Sequence, residues 1–152
     1  AGTNVPRRAL SELTLEDWRR IVDTNLDGAY WCVHAVLPIM RRQGGGTLIH
    51  VGSQAARRPS SLPGAAYTAA KAGLAGLSAV VNAEENQHGI RSSVIVLGDT
   101  NTPLLDKRPR PPSMESRETV IQPQDVAACI RFIAMLPARA NVEEIVLLPA
   151  NQ

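Results

Sequence analysis

Apolar residues recur at helical spacing in three segments of the chain and form short continuous runs in three others. Each run has the length and composition of a buried strand. The predicted helices cover residues 15–43, with a kink at Pro38, then 64–87, and 123 to the residue before Pro137. The predicted strands are 47–51 (TLIHV), 91–97 (RSSVIVL) and 144–148 (EIVLL), with irregular structure at 53–63 and 98–120.

This alternation of helix and strand predicts one α/β domain over residues 1–152. The expected fold is a partial doubly wound, Rossmann-type parallel sheet of about three strands with flanking helices. The helix over 64–87 is apolar almost all round, and such a helix is buried on several sides. One side packs on the sheet, and we expect another side to meet a second subunit. The protein is therefore predicted to be a homo-oligomer through helices 15–43 and 64–87.

Lys71 is the only charged residue between Pro59 and Ala83, and it follows Tyr67 by four residues. On a helix the two side chains share one face. Burying an unpaired ammonium is costly, so a buried lysine at this position indicates a use for its charge. A cation beside a phenol favours the phenolate, which is a base usable near neutral pH.

The composition limits the range of partners. The chain is 44% hydrophobic with a net charge of +2, which is ordinary for a soluble globular protein. Arginines form scattered doublets rather than a basic stripe with aromatics, so no nucleic-acid partner is expected. Arg57 and Arg58 are interpreted as surface residues, with attraction of an anionic substrate as the alternative. The low-charge segment around Lys71 is too rich in Gly, Ser and Ala for a membrane span, so no membrane partner is expected.

Two cysteines, Cys32 and Cys129, fall in predicted helices without CxxC or Cys/His metal spacing. We expect both to be buried reduced thiols of a cytoplasmic protein. The three histidines are dispersed and show no HExxH pattern, so no metal site is predicted.

Five short elements occur in order along the chain. Ser53 follows the first strand, at the edge where ligands bind in doubly wound sheets. The elements are Ala1 with Gly2, Asn25 in TNLDG, Ser53 in VGSQAA, Tyr67 with Lys71 as Y-x-x-x-K, and LGDTNT at 97–102. Together they resemble the short-chain dehydrogenase/reductase family over essentially the whole chain, and the ending EIVLLPANQ is similar to the last strand of its NADP-linked hydroxy-acid and serine dehydrogenases.

The resemblance implies an NAD(P)-dependent oxidoreductase that interconverts an alcohol and a carbonyl by hydride transfer. It makes Tyr67 the general acid/base and places the Ser53 hydroxyl on the substrate oxygen. Lys71 would bind the nicotinamide ribose and lower the pKa of Tyr67, and Asn25 would hold a water joining Lys71 to solvent. A cation about 4 Å away at an effective dielectric of about 20 contributes about 4 kcal/mol, or about three pKa units, before desolvation opposes it. Oxidised nicotinamide would add a second positive charge, so a phenol pKa near 7 is expected.

The cofactor expected from the resemblance is NAD or NADP, with NADP slightly favoured. Tyr67 and Lys71 would contact its nicotinamide ribose. Further contacts would come from the beginning of the chain and from the loop after the second strand. These residues are Ala1, Gly2, Leu97, Gly98, Thr100 and Thr102.

The sequence lacks the family's TGxxxGxG turn, where a helix N-terminus receives pyrophosphate. It therefore looks like the carboxyl-terminal part of such an enzyme, and we expect the isolated chain to be an inactive fragment. The strand at 47–51 would then be an exposed sheet edge, covered by oligomerisation or by a rearranged segment. The alternative is a non-catalytic, self-associating α/β module that binds no dinucleotide.

Overall fold

The predicted α/β fold is confirmed in a computed structural model that describes residues 2–150. Three parallel strands form one sheet in the order β1, β2, β3. The strands are β1 (Gly46–Val51), β2 (Ile90–Leu97) and β3 (Glu144–Leu147). The helices are α1 (Leu15–Val22), α2 (Gly28–Gln43), α3 (Ala65–Glu85), α4 (Met114–Glu118) and α5 (Pro123–Ala134).

The central strand β2 carries the core, because five consecutive side chains from Ser92 to Val96 are buried. Helix α3 packs against it. Buried polar residues of α3 and β2 pair where the two elements meet. The hydroxyls of Ser78 and Ser92 lie 2.8 Å apart. Asn82 accepts from the Ser92 amide and donates to its carbonyl, at 2.7 and 2.8 Å. These bonds compensate the desolvation of the polar groups and fix α3 along the strand.

The predicted helix over 15–43 is interrupted at Asn25 by a π-helical turn, Asp23–Asp27, which separates α1 from α2. The two side-chain N–H groups of Asn25 donate to the carbonyls of Thr3 and Ile21 at 2.9 and 2.7 Å. A side chain that bonds backbone carbonyls competes with regular helical geometry. The irregularity therefore lies at this asparagine, and α2 continues through Pro38.

The segment 98–120, predicted to be irregular, contains two short helices, which corrects that prediction. A 3₁₀ helix covers Pro103–Lys107, and α4 follows it. The Ser113 hydroxyl caps α4 by accepting from the Ser116 amide at 3.2 Å, a local signal that the proline-rich composition concealed.

Strand β1 lies at one edge of the sheet. Its hydrogen-bonded neighbour is β2, and no other strand among residues 2–150 pairs with it. The predicted edge is therefore present in the described part of the chain. No helix in this part is long and apolar enough to cross a membrane.

The cysteine prediction needs correction. Cys32 is exposed on α2, and Cys129 is only partly buried on α5. The apolar residues Tyr30, Trp31 and Ile39 of the same helix are also exposed. The expectation that Cys32 is buried was therefore wrong, because apolar residues at helical spacing do not all face the core.

The start of α3 gives a stability prediction. Gly64 caps this helix with φ +77°, and a Cβ there would lie 2.8 Å from the Arg8 carbonyl oxygen. We expect Gly64→Ala to lower the free energy of unfolding by about 1–3 kcal/mol, because the backbone is strained and crowded. In Gly76→Ala, the control on the same helix, the added methyl meets nothing within 4 Å, and stability should rise by about 0.5–1 kcal/mol. Equal effects in urea unfolding would contradict this reading of Gly64.

Candidate active site

A cavity of about 660 Å³ opens where β1 and β2 end. In parallel sheets this edge collects the loops that carry ligand-binding groups. The cavity brings together most of the site residues predicted from the sequence. These are Gly2, Ser53, Tyr67, Lys71, Leu97, Gly98, Thr100 and Thr102. Ala1 lies outside the described residues, and Asn25 lies away from the cavity lining.

Tyr67 and Lys71 share one face of α3, as their spacing predicts. The Lys71 ammonium lies 5.7 Å from the centre of the Tyr67 ring. Its Nζ donates to the Val51 carbonyl at 2.9 Å, which ties the helix to the end of β1. The side chain is 5% exposed, and no carboxylate among residues 2–150 pairs with it.

Burial sets the protonation behaviour of Lys71. Desolvation penalises the charged form and lowers the pKa of the ammonium from 10.5 to about 8. The group therefore still carries its charge at neutral pH. It provides a fixed cation within the cavity, held by one backbone carbonyl.

The pKa of Tyr67 differs from the sequence-based expectation. Burial raises the pKa of the phenol above its ordinary value of 10. Interaction with the Ser53 hydroxyl and the positive charges of Arg8 and Arg108 oppose this shift. Lys71 is not among the groups that lower it. In this structure desolvation outweighs the nearby cations, so the pKa of the phenol lies above its ordinary value. The expected pKa near 7 also counts the charge of oxidised nicotinamide and stays a prediction for the complex with the cofactor.

Ser53 is held at the cavity by the way β1 ends. Gly52 follows the strand, and its amide donates to the Ile95 carbonyl at 2.8 Å. A Cβ on Gly52 would lie 2.6 Å from a methyl of Val94, so the tight exit from the strand requires glycine. The Ser53 hydroxyl then accepts from the Ala55 amide at 3.2 Å and caps a 3₁₀ turn, Gln54–Ala56.

Asn25 acts beneath the cavity rather than in its wall. Its side chain is 2% exposed and bonds both the amide and the carbonyl of Thr3. It thus positions the segment from Gly2 to Asn4, of which Gly2 and Asn4 line the cavity. Its side-chain N–H groups are already used, so a water could bond here only through Oδ1 or the main-chain carbonyl.

The loop after β2 supplies the opposite wall. Gly98 is tightly packed, because a Cβ there would lie 2.9 Å from Pro149 and 3.0 Å from Leu148. The Thr100 hydroxyl donates to the Gly98 carbonyl at 3.1 Å, and Thr102 also faces the cavity lining. The two threonine hydroxyls, the phenol and the ammonium form a set of hydrogen-bonding groups, in which Thr100 is left as an acceptor, and the set fits the ribose and carboxamide of a nicotinamide nucleotide.

Several charged cavity residues escaped the sequence-based prediction. Arg8, Lys107 and Arg108 line the cavity, and Arg108 forms an ion pair with Asp99. The ion pair gives the Asp99 carboxylate a counter-ion at the cavity wall. The sequence does not distinguish the two arginines of the doublet Arg7-Arg8. In the structure Arg7 is exposed, whereas Arg8 is 6% exposed.

Comparison with known proteins agrees with this geometry. A family model described as short chain dehydrogenase matches residues 1–112. The 3-oxoacyl-[acyl-carrier-protein] reductase of Synechocystis sp. is 33% identical over 136 residues, covering 88% of this chain and 54% of that protein. Sulfoacetaldehyde reductase 2 of Chromohalobacter salexigens is 30% identical over 159 residues, covering 100% of this chain and 62% of that protein.

Among solved structures, the closed form of a serine dehydrogenase complexed with NADP+ matches with a TM-score of 0.89 at 26% identity. The match covers 100% of this chain and 63% of that one. The chain belongs to the short-chain dehydrogenase family, a family of NAD(P)-dependent oxidoreductases, which confirms the resemblance. It spans 54% to 63% of the lengths of these three proteins.

The lowered pKa of Lys71 gives a prediction for stability. Between pH 8 and 10.5 the unfolded chain binds a proton at this lysine that the folded chain has lost, so stability rises with pH. We expect this group to add about 2 kcal/mol to the free energy of unfolding between pH 7 and about 9.5.

In Lys71→Met that increment should disappear, as measured by urea unfolding at the two pH values. Lys107→Met is the matched control, since Lys107 lines the same cavity but is exposed, and it should keep the wild-type increment. An unchanged increment in Lys71→Met would refute the assignment.

Proposed function

We propose that the chain carries the catalytic centre of an NAD(P)-dependent oxidoreductase that interconverts an alcohol and a carbonyl. The observation that supports this most directly is the convergence of Ser53, Tyr67 and Lys71 on one cavity at the strand ends. A proton donor, a second hydroxyl and a fixed cation are the groups that this reaction requires from the protein.

The bound nicotinamide supplies or accepts the hydride. During reduction the carbonyl oxygen gains negative charge, and Tyr67 Oη gives it a proton. The Ser53 hydroxyl donates to the same oxygen and stabilises the developing charge. The Lys71 ammonium stabilises the phenolate that Tyr67 leaves behind.

The raised pKa of Tyr67 favours one direction of the reaction near neutral pH. A phenol that keeps its proton is ready to act as an acid, which suits carbonyl reduction. Alcohol oxidation needs the phenolate, so its rate should increase toward alkaline pH. The positive charges of Arg8 and Arg108 favour the ionised phenol, so both oppose the rise of the Tyr67 pKa.

The finer assignments form part of the same proposal. Gly2, Leu97, Gly98, Thr100 and Thr102 would hold the nicotinamide end of the cofactor, and Asn25 would contribute a water between Lys71 and solvent. NADP is favoured over NAD, in keeping with the NADP+ held by the similar serine dehydrogenase structure. A cytoplasmic location is proposed because the cofactor and the reduced cysteines are typical of that compartment.

We also propose that the 152-residue chain alone binds the cofactor weakly. Its sequence contains no TGxxxGxG turn, and the pyrophosphate of a dinucleotide gains much of its binding from such a turn at a helix N-terminus. Turnover is therefore tested in the natural gene product.

Assembly through α2 and α3 is the remaining element of the proposal. Tyr30, Trp31 and Ile39 of α2 and Val80 of α3 are each at least half exposed. Exposed large apolar side chains of this kind are typical of an interaction surface. A second copy of the chain would cover these side chains, and the small substrate would be the other partner.

We expect Trp31→Glu to shift the protein from an oligomer to a monomer in sedimentation velocity, because a carboxylate would be buried in the interface. Leu10→Glu is the matched control, since Leu10 is 81% exposed but lies outside both helices. A wild-type protein that sediments as a monomer at micromolar concentration would contradict the proposed assembly.

The catalytic proposal is tested with Tyr67→Phe in the natural gene product. Removing the proton donor should lower kcat by about 10²–10⁴-fold and leave NADPH binding, followed by fluorescence, within a factor of about three, since the ring remains. The chain has one other tyrosine, the exposed Tyr30, and Tyr30→Phe should keep wild-type turnover. Full activity in Tyr67→Phe would rule out the role given to this phenol.

A further inference from the structure

Arg8 is a buried cation that the proposed reaction uses only through its charge, which favours the Tyr67 phenolate. Its side chain is 6% exposed and lines the catalytic cavity. Its guanidinium donates to the carbonyls of Val5, at 2.6 Å, and Leu62, at 3.2 Å, and to that of Lys107. No carboxylate within residues 2–150 forms an ion pair with it.

Carbonyl dipoles compensate only part of the cost of burying this charge. A guanidinium has five N–H groups, and three of those of Arg8 are used by the carbonyls. No further acceptor from the described residues bonds the other two. Buried charges are normally paired, so the position of Arg8 in a cavity wall indicates a site for an anion.

The charge of the whole cavity points the same way. Its lining contains five cationic side chains, Arg8, Arg58, Lys71, Lys107 and Arg108, and one carboxylate, Asp99. The chain as a whole has 16 basic and 14 acidic residues, so this imbalance is local. Asp99 is already paired with Arg108 and leaves Arg8 without a counter-ion.

The position of Arg8 places that anion on the substrate side. Its three carbonyl partners belong to the loop before α1, the loop before α3 and the 3₁₀ helix after β2. It is also near enough to Tyr67 for their charges to interact. Leu62, Leu104 and Leu105 contribute apolar lining. An anion bound at Arg8 would thus extend from the phenol along an aliphatic wall.

We propose that the substrate is an aliphatic hydroxy acid or oxo acid whose anionic group is bound by Arg8, with Arg58 and Lys107 adding to its attraction. This assignment rests on the proposed oxidoreductase function and names the substrate class. Arg8 keeps one unused N–H on each of Nη1 and Nη2, and a carboxylate or a sulfonate can accept from such donors. The hydroxyl or carbonyl group of the substrate then reaches Ser53 and Tyr67.

The test compares 2-, 3- and 4-hydroxybutyrate with their methyl esters, which keep the carbon skeleton and remove the charge. Binding is measured by calorimetry on the natural gene product, with and without NADP+. A charge-assisted hydrogen bond contributes about 1.5–3 kcal/mol, so at least one acid should bind about tenfold or more tightly than its ester. Arg8→Gln should remove this preference, so that the acid and its ester bind with similar affinities.

Arg8 also joins three loops, so two exposed residues provide a second test. Arg58→Gln and Lys107→Gln leave the carbonyl bonds of Arg8 intact and should each weaken binding of the acid by about threefold, a value typical of an exposed charge. Arg19→Gln is the control, since Arg19 is exposed on α1 away from the cavity. A preference for the acid that survives in Arg8→Gln, Arg58→Gln and Lys107→Gln alike overturns the proposal.

A cofactor phosphate is the other source of an anion at this site, and nicotinamide mononucleotide serves as its probe. If that nucleotide binds through Arg8 while acids and esters bind equally, the proposal is wrong. Esters turned over as fast as the acids would also overturn it and leave the oxidoreductase function standing. Arg8-dependent binding of the acids without any turnover would support the anion site and reject the oxidoreductase function.

Discussion

The arrangement of the site depends on keeping one ammonium out of water at the end of β1. Lys71 is buried with a single backbone carbonyl as its hydrogen-bond partner, that of Val51, and the penalty appears as its lowered pKa. The neighbouring structure holds it there. Gly64 starts the helix at the required angle, and Gly73 lets α3 approach Leu26. These two close contacts fix the helix that carries both Tyr67 and Lys71, and the ammonium lies 5.7 Å from the centre of the phenol ring.

The pKa of Tyr67 depends on two opposing effects, burial of the phenol and nearby positive charges. Sequence spacing does not show which effect is larger. The four-residue interval between Tyr67 and Lys71 predicted a shared face and one cavity, and both are observed. The same reasoning used a distance of about 4 Å in a partly polar medium and gave no size to the opposing desolvation of the phenol. Desolvation is the largest contribution in the structure, and it raises the pKa of Tyr67.

Features encoded by local periodicity were predictable, whereas features created by distant contacts were not. The strand TLIHV and the helix around Lys71 were placed within one or two residues of their bounds, because apolar runs and helical stripes are local patterns. The π turn at Asn25 depends on the carbonyl of Thr3, 22 residues earlier. The burial of Arg8 depends on Lys107, 99 residues later. Neither partner can be identified from the neighbouring sequence.

The π turn at Asp23–Asp27 accommodates one residue more than an α-helical turn would. An α-helix advances about 100° per residue, so the turn shifts the phase of α2 relative to α1. Loss of a single residue between Ile21 and Gly28 would restore regular coiling but rotate the whole of α2 by about 100° relative to α1. A substitution on the exposed side of α2 leaves the directions of the other side chains unchanged, whereas a one-codon deletion in the π turn would redirect all of them.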